Sequence, residues 1–376
     1  MKKVLVFIES LDGGGAEAIL RNIVSVIDRE RFDITVVTET DNERYTDEVK
    51  SYVKHRCFAG KTTSGSAVKE LLNKAVIKYS LVASEKAVRK FLIKGDYDVE
   101  IAFCEGYATK VIGNSGRKNC KKIAWVHTDV INHPWSEAIY GGAENERKCY
   151  ENFDAIVCVS ETMKESFVRK YGMAEKVHVV YNVINDEETV QKGDEKAEIN
   201  LPRPLFTLAG RLTKVKGYDR LIRVCARLRD RGYNFSVAIL GKSEEEENIK
   251  NLISENSLDD KIRLLGFQEN PHKFIKNSDV FVCSSYAEGY STAVSEAVIL
   301  GVPVVTTECS GMREIFGSEN CGIICENSDD GLFEAMKKVL DEPSLLEVFR
   351  EAEKKRSKTF SMASRIKTVE EFIENI

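Results

Sequence analysis

Two glutamates eight residues apart mark the stretch of the chain that is best equipped for chemistry. Residues 284–297 read SSYAEGYSTAVSEA and contain Glu288 and Glu296. They follow the apolar run Val280–Cys283, which is typical of a buried parallel strand. Glu288 and Gly289 therefore fall in the loop at the carboxyl end of a strand, which is where open α/β sheets bind their ligands.

A helix is predicted directly after this loop, over residues 292–300. Ser291 and Thr292 begin the helix, and the free N–H groups of its first turn suit a phosphate. Glu296 lies one turn further on, on the same face as Thr292. The Glu288 carboxylate then faces out of the loop, and the Glu296 carboxylate lies at its base. The competing interpretation is a surface glutamate and a helix glutamate that bind nothing.

A cationic loop follows another predicted strand, at residues 205–209. Residues 210–217 read GRLTKVKG and place Arg211, Lys214 and Lys216 at the ligand-binding edge of a sheet. Arginine can bind two phosphate oxygens at once and lysine acts as a point charge, so the loop suits a diphosphate. A solvated basic turn is the alternative. Cations for phosphates together with carboxylates for hydroxyls describe a site for a nucleotide-sugar.

A glycine loop, GGGAEA at residues 13–18, lies between the first predicted strand and a predicted helix. With Glu39 about twenty residues further on, it satisfies the dinucleotide fingerprint G-x-G-x-x-A and so allows an NAD-binding enzyme. Glu17 argues against NAD, because its charge in the first helical turn would repel a pyrophosphate. Two other interpretations stay open: Gly14 and Gly15 form a wall that faces another nucleotide, or the loop is a plain tight turn.

The length of 376 residues exceeds the size at which a single core usually keeps growing, which favours two domains. Two series of alternating strands and helices predict an α/β protein with parallel, doubly wound sheets. The predicted strands are residues 4–8, 34–38, 99–103, 123–126 and 156–159, then 205–209, 235–240, 262–265, 280–283 and 304–306. We expect domains at residues 1–182 and 203–359, and a C-terminal helix within 360–376 that packs back on the first domain.

Composition limits the cellular setting. The net charge is only −5, and the ten cysteines contain no C-x-x-C pair. Because most of the cysteines lie in apolar runs, they are interpreted as small core residues in a reducing compartment. The first apolar run is too short for a signal peptide, and no stretch approaches the ~20 apolar residues that span a membrane. The expected location is the cytoplasm.

One segment of the chain is strongly basic. Eleven Lys or Arg residues face two acids within residues 50–94, and apolar residues such as Leu71 and Val76 recur among them at helical spacing. This pattern predicts that Lys61 to Lys94 lie on an anionic membrane surface, or else pack on their domain with a solvated basic face. No basic stripe with interleaved aromatics continues outside the segment, so nucleic acid is not an expected partner.

These motifs, in this order, resemble the retaining glycosyltransferases of family 4, which have the GT-B fold of two facing Rossmann-like domains with an interdomain cleft. The matching parts are residues 14–17 as the glycine loop, His127 at a strand end, residues 210–217 as the diphosphate motif, and residues 288–305 as the E-x7-E signature with the strand after it. The sequence departs from the family pattern at one place: Ser291-Thr292 stands where most family members have a glycine followed by an aliphatic residue. That version is similar to enzymes of capsular and exopolysaccharide assembly.

The resemblance implies a role for each matching residue. Arg211 and Lys216 would hold the diphosphate, Glu296 the ribose and Glu288 the donor sugar, while His127 would face that sugar and the backbone near Phe267 would read the base. The expected catalytic residues are His127, Arg211, Lys216 and Glu288, and the expected donor-binding residues are Gly14, Gly15, Phe267, Gly289, Tyr290, Ser291, Thr292 and Glu296.

Neither a metal nor a cofactor is expected. The D-x-D motif at Asp96-Tyr-Asp98 is not read as a metal site, because it precedes its strand instead of following it.

The function implied is transfer of a hexose or N-acetylhexosamine, from a UDP-sugar by preference, to a glycan acceptor in cell-surface polysaccharide assembly. The acceptor is expected to be lipid-linked, and the enzyme to lie peripherally on the inner face of the cell membrane. A phosphate oxygen of the donor would take the acceptor proton, so no protein base is assigned. Two alternatives stay open: an NAD-dependent oxidoreductase, and a catalytically silent nucleotide-sugar-binding partner of another transferase.

Overall fold

The structure, a computed structural model, describes residues 1–41, 43–60 and 67–376. These residues form two compact units, one of residues 1–183 with 363–376 and one of residues 184–362. Each unit is built around one parallel sheet with helices between its strands. The prediction of two Rossmann-like α/β domains is confirmed.

The first unit contains a seven-stranded sheet in its described residues. Its strands are β1 (Lys2–Phe7), β2 (Phe32–Thr40), β3 (Lys54–Ala59), β4 (Val99–Ala102), β5 (Lys121–Val126), β6 (Ala155–Cys158) and β7 (Val177–Val179). The helices between them are α1 (Gly15–Val26), α2 (Thr46–Tyr52), α3 (Ala67–Val82), α4 (Glu85–Phe91), α5 (Tyr107–Gly113), α6 (Glu137–Tyr140), α7 (Ala143–Tyr150) and α8 (Glu161–Tyr171). All strand pairs are parallel, in the order β3-β2-β1-β4-β5-β6-β7.

The second unit contains a six-stranded parallel sheet. Its strands are β8 (Leu205–Ala209), β9 (Ser236–Leu240), β10 (Ile262–Gly266), β11 (Val280–Cys283), β12 (Val304–Thr307) and β13 (Gly322–Cys325). Its helices are α9 (Asp186–Gly193), α10 (Tyr218–Asp230), α11 (Glu246–Glu255), α12 (His272–Lys276), α13 (Thr292–Ile299), α14 (Met312–Phe316), α15 (Asp329–Asp341) and α16 (Leu345–Arg356). The strand order is β10-β9-β8-β11-β12-β13, which makes β8 and β11 neighbours at the centre.

The strands that the sequence did not predict all lie at sheet edges. They are β3, β7 and β13. Inner strands such as β6 and β11 are buried along their whole length and therefore read as continuous apolar runs. The edge strand β3 has the sequence KHRCFA, in which exposed and half-buried residues alternate. Because it carries several charged residues, it was not recognised as a strand within the basic segment that was predicted to be helical. That part of the helical prediction is wrong.

The polar stretch between the predicted domains contains a helix. Helix α9 belongs to the second unit and packs on α12 and α13. The approach is close at Gly193, where a Cβ would lie 2.4 Å from Cδ2 of Leu300. The chain passes from one unit to the other at residue 184, at the start of this stretch and before α9.

The C-terminal helix α17 (Met362–Asn375) lies on the first unit. Glu370 accepts hydrogen bonds from the Asp28 N–H, at 2.8 Å, and from the Arg31 guanidinium, at 2.9 Å. Arg365 donates to the carbonyl of Asn182 at 2.6 Å, and Val369 is fully buried. The last residues of the chain therefore complete the domain that its first residues begin.

A single carboxyl group is buried in α16 without a partner. Glu353 is fully buried, and neither of its carboxyl oxygens has a hydrogen-bond partner among the described residues. Burial raises its pKa to about 10, although the nearby Arg350 acts in the opposite direction. The folded protein therefore keeps this carboxyl protonated at neutral pH, because an unpaired charge there would lose its hydration.

We expect Glu353→Gln to raise thermal stability more at pH 8 than at pH 5. The pKa of Glu353 is about 10 in the folded chain against an ordinary 4.5, so the unfolded chain is the first to lose its proton as the pH rises. The free energy of unfolding then falls above pH 4.5 by up to ~1.4 kcal/mol per pH unit, until the folded carboxyl ionises too. Thermal melts of both proteins between pH 5 and pH 8 measure the difference.

The matched control is Glu351→Gln on the same helix. Glu351 is exposed and pairs with Lys354, so its replacement should leave the pH dependence of the melting temperature almost unchanged. The burial argument is wrong if wild type and Glu353→Gln lose stability in parallel as the pH rises.

Candidate active site

Two loops lie side by side at the carboxyl edge of the second sheet. Residues 210–217 follow β8 and residues 284–291 follow β11. Strands β8 and β11 are parallel neighbours, with Phe206 opposite Val280. Since the carboxyl ends of parallel strands share one edge, the structure brings the predicted diphosphate motif next to the two-glutamate segment.

Backbone and side-chain hydrogen bonds join the two loops. Ser284 Oγ donates to the carbonyl of Lys216 at 2.9 Å, and the N–H of Tyr286 donates to the carbonyl of Val215 at 2.8 Å. Gly217 has a φ of 66°, and a Cβ on it would lie 2.1 Å from the Ser284 carbonyl oxygen. Only glycine permits this approach, so the last residue of the cationic loop fixes the distance between the loops.

An ion pair spans the loops. Lys216 Nζ lies 2.6 Å from Glu288 Oε1, and Ser285 Oγ donates to the same oxygen at 2.6 Å. Only 9% of the Glu288 side chain is exposed. Oε2 takes no hydrogen bond from a described residue of the second unit. The pair therefore holds the carboxylate still while one oxygen stays able to accept a ligand hydroxyl.

The charge of Lys216 is stabilised by its partner. Burial lowers the pKa of Lys216, but the charge of the Glu288 carboxylate, the Cys283 thiol and the hydrogen bond to Glu288 together raise this pKa above its ordinary value. Arg211 is exposed and lies near enough for its own charge to act against protonation of Lys216. It forms no ion pair with any described residue of its unit. Two cations and one carboxylate leave an excess positive charge, which suits a diphosphate.

The residues after Glu288 offer backbone groups more than side chains. Tyr290 and Ser291 are buried, and Ser291 Oγ caps α13 by accepting the N–H of Val294 at 3.4 Å. Gly289 lies against Gly311, where a Cβ would be 2.6 Å from the Gly289 carbonyl oxygen. Thr292 is the half-buried first residue of α13. A ligand can therefore meet the unpaired N–H groups of this helix start, but not the Tyr290 ring.

The second glutamate has a partner that the sequence did not reveal. Glu296 Oε2 lies 3.4 Å from Nε2 of His272, the first residue of α12. Nδ1 of His272 is buried without a hydrogen-bond partner among the described residues. Sequence analysis assigned His272 no role. Its position shortly after β10, at the same sheet edge, is the signal that could have singled it out.

Phe267 also lies at this edge, directly after β10. The strand ends at Gly266, whose φ is 66°. The exposed Phe267 ring has the ammonium of Lys242 at 5.4 Å from its centroid. Lys242 was not predicted as a site residue, although it follows β9 at the same carboxyl edge.

A buried arginine supports the loop of Glu288 from below. Arg220 is buried, and its guanidinium lies 4.1 Å from the centroid of the Tyr286 ring. It donates to Asn327 Oδ1 at 2.6 Å and to Asp329 Oδ1 at 3.2 Å. These partners come from two segments of the chain that are both distant from Arg220, so no local sequence pattern predicts them. They fix the base of the loop that carries Glu288.

In the first unit, His127 follows β5 and is held by its backbone. Its N–H donates to Glu105 Oε1 at 2.7 Å, and its ring lies 5.0 Å from that of Phe103. Burial lowers the pKa of His127 to about 4, although a hydrogen bond to the Phe103 backbone acts in the opposite direction. Nε2 is buried without a partner among the described residues. His127 is therefore neutral at pH 7, and Nε2 can contact a ligand.

Acidic residues also end strands at this edge of the first sheet. Burial raises the pKa of Glu9 to about 7, despite a hydrogen bond from the Ala108 N–H at 2.7 Å, and the charges of Glu39 and Glu105 raise it further. Burial likewise raises the pKa of Glu39 and of Glu105. Glu9 is therefore only partly ionised at neutral pH, unlike an exposed acid.

The glycine loop begins α1, with Gly14 as its N-cap. Glu17 lies in the first turn, and a Cβ on Gly14 would be 2.3 Å from Glu17 Oε2. The carboxylate thus lies over the backbone that a pyrophosphate would need. This geometry agrees with the sequence argument against NAD.

The D-x-D motif precedes β4 in the structure. Asp96 is exposed and pairs with Arg117 at 2.6 Å. No group of three or more His, Cys, Asp or Glu side chains in the described ranges is arranged to hold a metal ion. Metal independence stays a prediction.

Comparisons with known proteins identify two family models along the chain. The description "Glycosyltransferase Family 4" matches residues 13–188, and "Glycosyl transferases group 1" matches residues 190–356. A protein of Campylobacter jejuni named N-acetylgalactosamine-N,N'-diacetylbacillosaminyl-diphospho-undecaprenol 4-alpha-N-acetylgalactosaminyltransferase is 26% identical over 372 residues, which is 96% of each chain.

Solved structures agree with the fold. HepE of Anabaena, in complex with UDP and glucose, aligns over 100% of both chains with a TM-score of 0.78 and 16% identity. Sucrose-phosphate synthase of Thermosynechococcus elongatus aligns over 100% of this chain and 99% of its own, with a TM-score of 0.77 and 14% identity. At these identities the likeness concerns the fold alone, and it gives the oxidoreductase alternative no support. Since the two matched families adjoin along the chain and the fold is theirs, the protein belongs to the GT-B glycosyltransferases of the group 1 and family 4 type.

Proposed function

We propose that this glycosyltransferase moves a hexose or N-acetylhexosamine from a UDP-sugar to a lipid-linked glycan, with retention of anomeric configuration and without a metal ion. The observation that carries the proposal is the Lys216–Glu288 pair beside the exposed Arg211, which joins cations for a diphosphate to a carboxylate oxygen for a sugar hydroxyl. The name of the Campylobacter relative includes a diphospho-undecaprenol-linked glycan and an alpha linkage, and HepE was solved with UDP and glucose.

In the proposed mechanism, electrostatics does most of the work. The bond between the anomeric carbon and the diphosphate oxygen breaks, and its electron pair leaves with UDP. Arg211, Lys216 and the N–H groups at the start of α13 stabilise the charge that develops there, an effect that can reach ~3–4 kcal/mol per donor. The acceptor oxygen bonds to the anomeric carbon on the face that UDP leaves. Its proton passes to a phosphate oxygen, so neither a protein base nor a metal is assigned.

The two glutamates divide the donor between them in this proposal. Glu288 Oε2 accepts a hydroxyl of the sugar, because Oε1 is already taken by Lys216 and Ser285. Glu296, next to His272, accepts the ribose hydroxyls. In the first unit, the neutral His127 offers Nε2 to the transferred sugar.

The proposed acceptor is membrane-bound because α3 presents an apolar stripe to solvent. The α3 stripe consists of exposed residues at helical spacing, namely Val68, Leu71, Leu72, Ala75, Tyr79 and Val82. Leu71 is 69% exposed, whereas the apolar face of a surface helix normally turns to the core. The exposed Lys74 and Lys78 flank the stripe, a combination that suits an anionic bilayer surface. No helix in the described part of the chain is long and apolar enough to cross a bilayer.

The basic surface is smaller than the charge count of the sequence predicts. Arg89 is buried and donates to Glu100 at 2.6 Å, so it does not belong to this surface, and its inclusion in the sequence-based segment is wrong. Lys50 and Lys54 pair with Asp41 and Asp33, each at 2.7 Å. Counting charges along the chain omits acids that the fold brings in from elsewhere. Lys61, at the start of the predicted segment, lies outside the described residues.

We expect Lys216→Ala and Arg211→Ala each to lower kcat by roughly 100-fold or more and to change KM far less. The diphosphate gains charge only as the bond breaks, so these cations act chiefly on the transition state. Steady-state kinetics with a UDP-sugar panel measures the effect. The same assay with EDTA added is expected to show no loss of activity.

Lys214→Ala, which removes the exposed third cation of the loop, is the matched control. Activity within threefold of wild type in both variants contradicts the diphosphate assignment, and donor binding by wild type without turnover indicates a silent binding partner.

Calorimetry should separate the two acids. We expect Glu296→Gln to weaken binding of UDP and of the UDP-sugar alike, because ribose is common to both ligands. Glu288→Gln should weaken binding of the UDP-sugar and spare UDP, since its removal also frees the charge of Lys216 for the diphosphate. Equal losses for both ligands in Glu288→Gln rule out the proposed division.

Vesicle sedimentation tests the membrane surface. We expect wild type to bind anionic vesicles at low salt, to release as salt rises, and to bind neutral vesicles poorly. Replacing Lys74, Lys78 and Lys90 by Glu should weaken binding at least ~100-fold, since each basic residue near an anionic surface contributes about 1 kcal/mol. Arg89 is left unchanged because its removal would leave the buried Glu100 without its ion-pair partner.

The matched control reverses three exposed lysines of the second unit, Lys338, Lys355 and Lys358. It changes the net charge equally and should keep most of the vesicle binding. If wild type fails to sediment with anionic vesicles at low ionic strength, the α3 stripe is not a membrane surface, and a soluble acceptor takes its place in the proposal.

A further inference from the structure

We infer that Trp135 is the platform on which the acceptor's sugar ring stacks beside His127. The inference rests on the proposed function and deepens it by naming a residue that selects the acceptor. Trp135 lies in the loop between β5 and α6 and is 42% exposed, whereas Trp125, the other tryptophan of the chain, is buried.

Hydrogen bonds fix the orientation of the indole. Trp135 Nε1 donates to Thr128 Oγ1 at 3.2 Å, and Thr128 Oγ1 donates to Glu105 Oε1 at 2.9 Å. The same Glu105 oxygen accepts the N–H of His127 at 2.7 Å. The ring also lies against Gly106, whose φ is 90° and on which a Cβ would be 2.9 Å from the ring carbon Cη2. One carboxylate thus anchors the backbone of His127 directly and the indole of Trp135 through Thr128.

The loop that carries Trp135 is held at both ends. At its start, Asp129 Oδ1 accepts the N–H of Ile131 at 2.9 Å. At its end, Ser136 Oγ donates to the buried Glu146 at 2.6 Å, and Tyr140 Oη donates to the Gly106 carbonyl at 3.0 Å. A ring that is exposed and yet held in this way loses little further freedom when a ligand covers it, which favours binding.

The chemistry around the ring favours a sugar. Since Nε1 is already bonded within the protein, what Trp135 offers to a ligand is its apolar ring surface. Thr128, the residue that binds the indole, directly follows His127, whose Nε2 is buried and has no partner among the described residues, so a ligand hydroxyl can supply one. A pyranose combines an apolar C–H face with a rim of hydroxyls and matches both features. A lipid chain would leave the imidazole unsatisfied.

Helix α5 connects this platform to the α3 stripe. Tyr107 Oη donates to the carbonyl of Ser80 in α3 at 2.7 Å. Lys110 Nζ donates to the carbonyl of Ile139 in α6, the helix that follows the Trp135 loop, at 3.0 Å and lies 3.8 Å from Glu85 of α4. The α3 stripe and the Trp135 loop therefore lie in the same unit and are joined through α5, as one acceptor with a lipid part and a sugar part would require.

Intrinsic fluorescence tests the platform without any need for turnover. The probe is methyl α-N-acetylgalactosaminide, added at millimolar concentrations to the full-length protein. We expect saturable quenching or a spectral shift in wild type and in Phe91→Ala, an exposed aromatic of α4 that serves as control. In Trp135→Phe the response should vanish, because the remaining Trp125 is buried. No response in wild type, or one that survives in Trp135→Phe, overturns the inference, as does a response to anionic vesicles but not to the glycoside.

Kinetics with a synthetic polyprenyl-diphosphate N-acetylhexosamine gives a second readout. Trp135→Ala should raise the acceptor KM at least tenfold and leave the donor KM within twofold, while Trp135→Phe should recover most of the acceptor affinity. Equal changes in both KM values indicate a purely structural role and overturn the platform. Quenching without any transfer supports the platform and contradicts the proposed function. Transfer with an unchanged acceptor KM in Trp135→Ala overturns the platform and leaves the function intact.

Discussion

The Lys216–Glu288 ion pair is the contact on which the rest of the donor-side geometry depends. Its members are 72 residues apart, and they meet because β8 and β11 are neighbours and because Gly217 lets their loops touch. A half-buried pair of this kind costs desolvation, and that cost is offset only when the geometry is good and the remaining atoms are bonded. Ser285 supplies one such bond to Glu288 Oε1, and Arg220 packs on Tyr286 in the same loop. The site is therefore organised before a ligand arrives, with a net positive charge and one Glu288 oxygen that takes no hydrogen bond from a described residue of its unit.

The fold could be predicted where the physics is local. Inner strands of a parallel sheet are covered on both faces, so β8 and β11 read as apolar runs, and their predicted bounds match the structure. Edge strands lack that second constraint, which is why β3, β7 and β13 were missed. Helix α9 was missed for a related reason, because its residues are mostly polar and its contacts with α12 and α13 come from distant parts of the chain.

The individual residues of the site could be predicted, but their partners could not. The loop positions of Arg211, Lys216, Glu288 and Glu296 follow from the rule that ligands bind at the carboxyl edge. That Lys216 holds Glu288, or that His272 lies at Glu296, depends on which strands are neighbours, and single motifs do not encode this. Arg89 is an example of a residue whose burial could not be predicted, again because its partner lies on a different secondary-structure element. A basic residue in a basic segment looks like surface, yet Glu100 on β4 draws it into the core.

The two units differ in electrostatics at the carboxyl edges of their sheets. At the edge of the second sheet, the charges stay ionised and favour a diphosphate, since the Glu288 carboxylate raises the pKa of Lys216 against the effect of burial. At the edge of the first sheet, burial suppresses charge instead: the pKa of His127 falls to about 4, and that of Glu9 rises to about 7. The neutral His127 exchanges hydrogen bonds with hydroxyls without attracting or repelling an ion, and Glu9 carries only part of a charge. An uncharged sugar is thus the ligand that the first unit suits, and the rigid Trp135 adds the apolar surface that neutral hydrogen-bonding groups cannot provide.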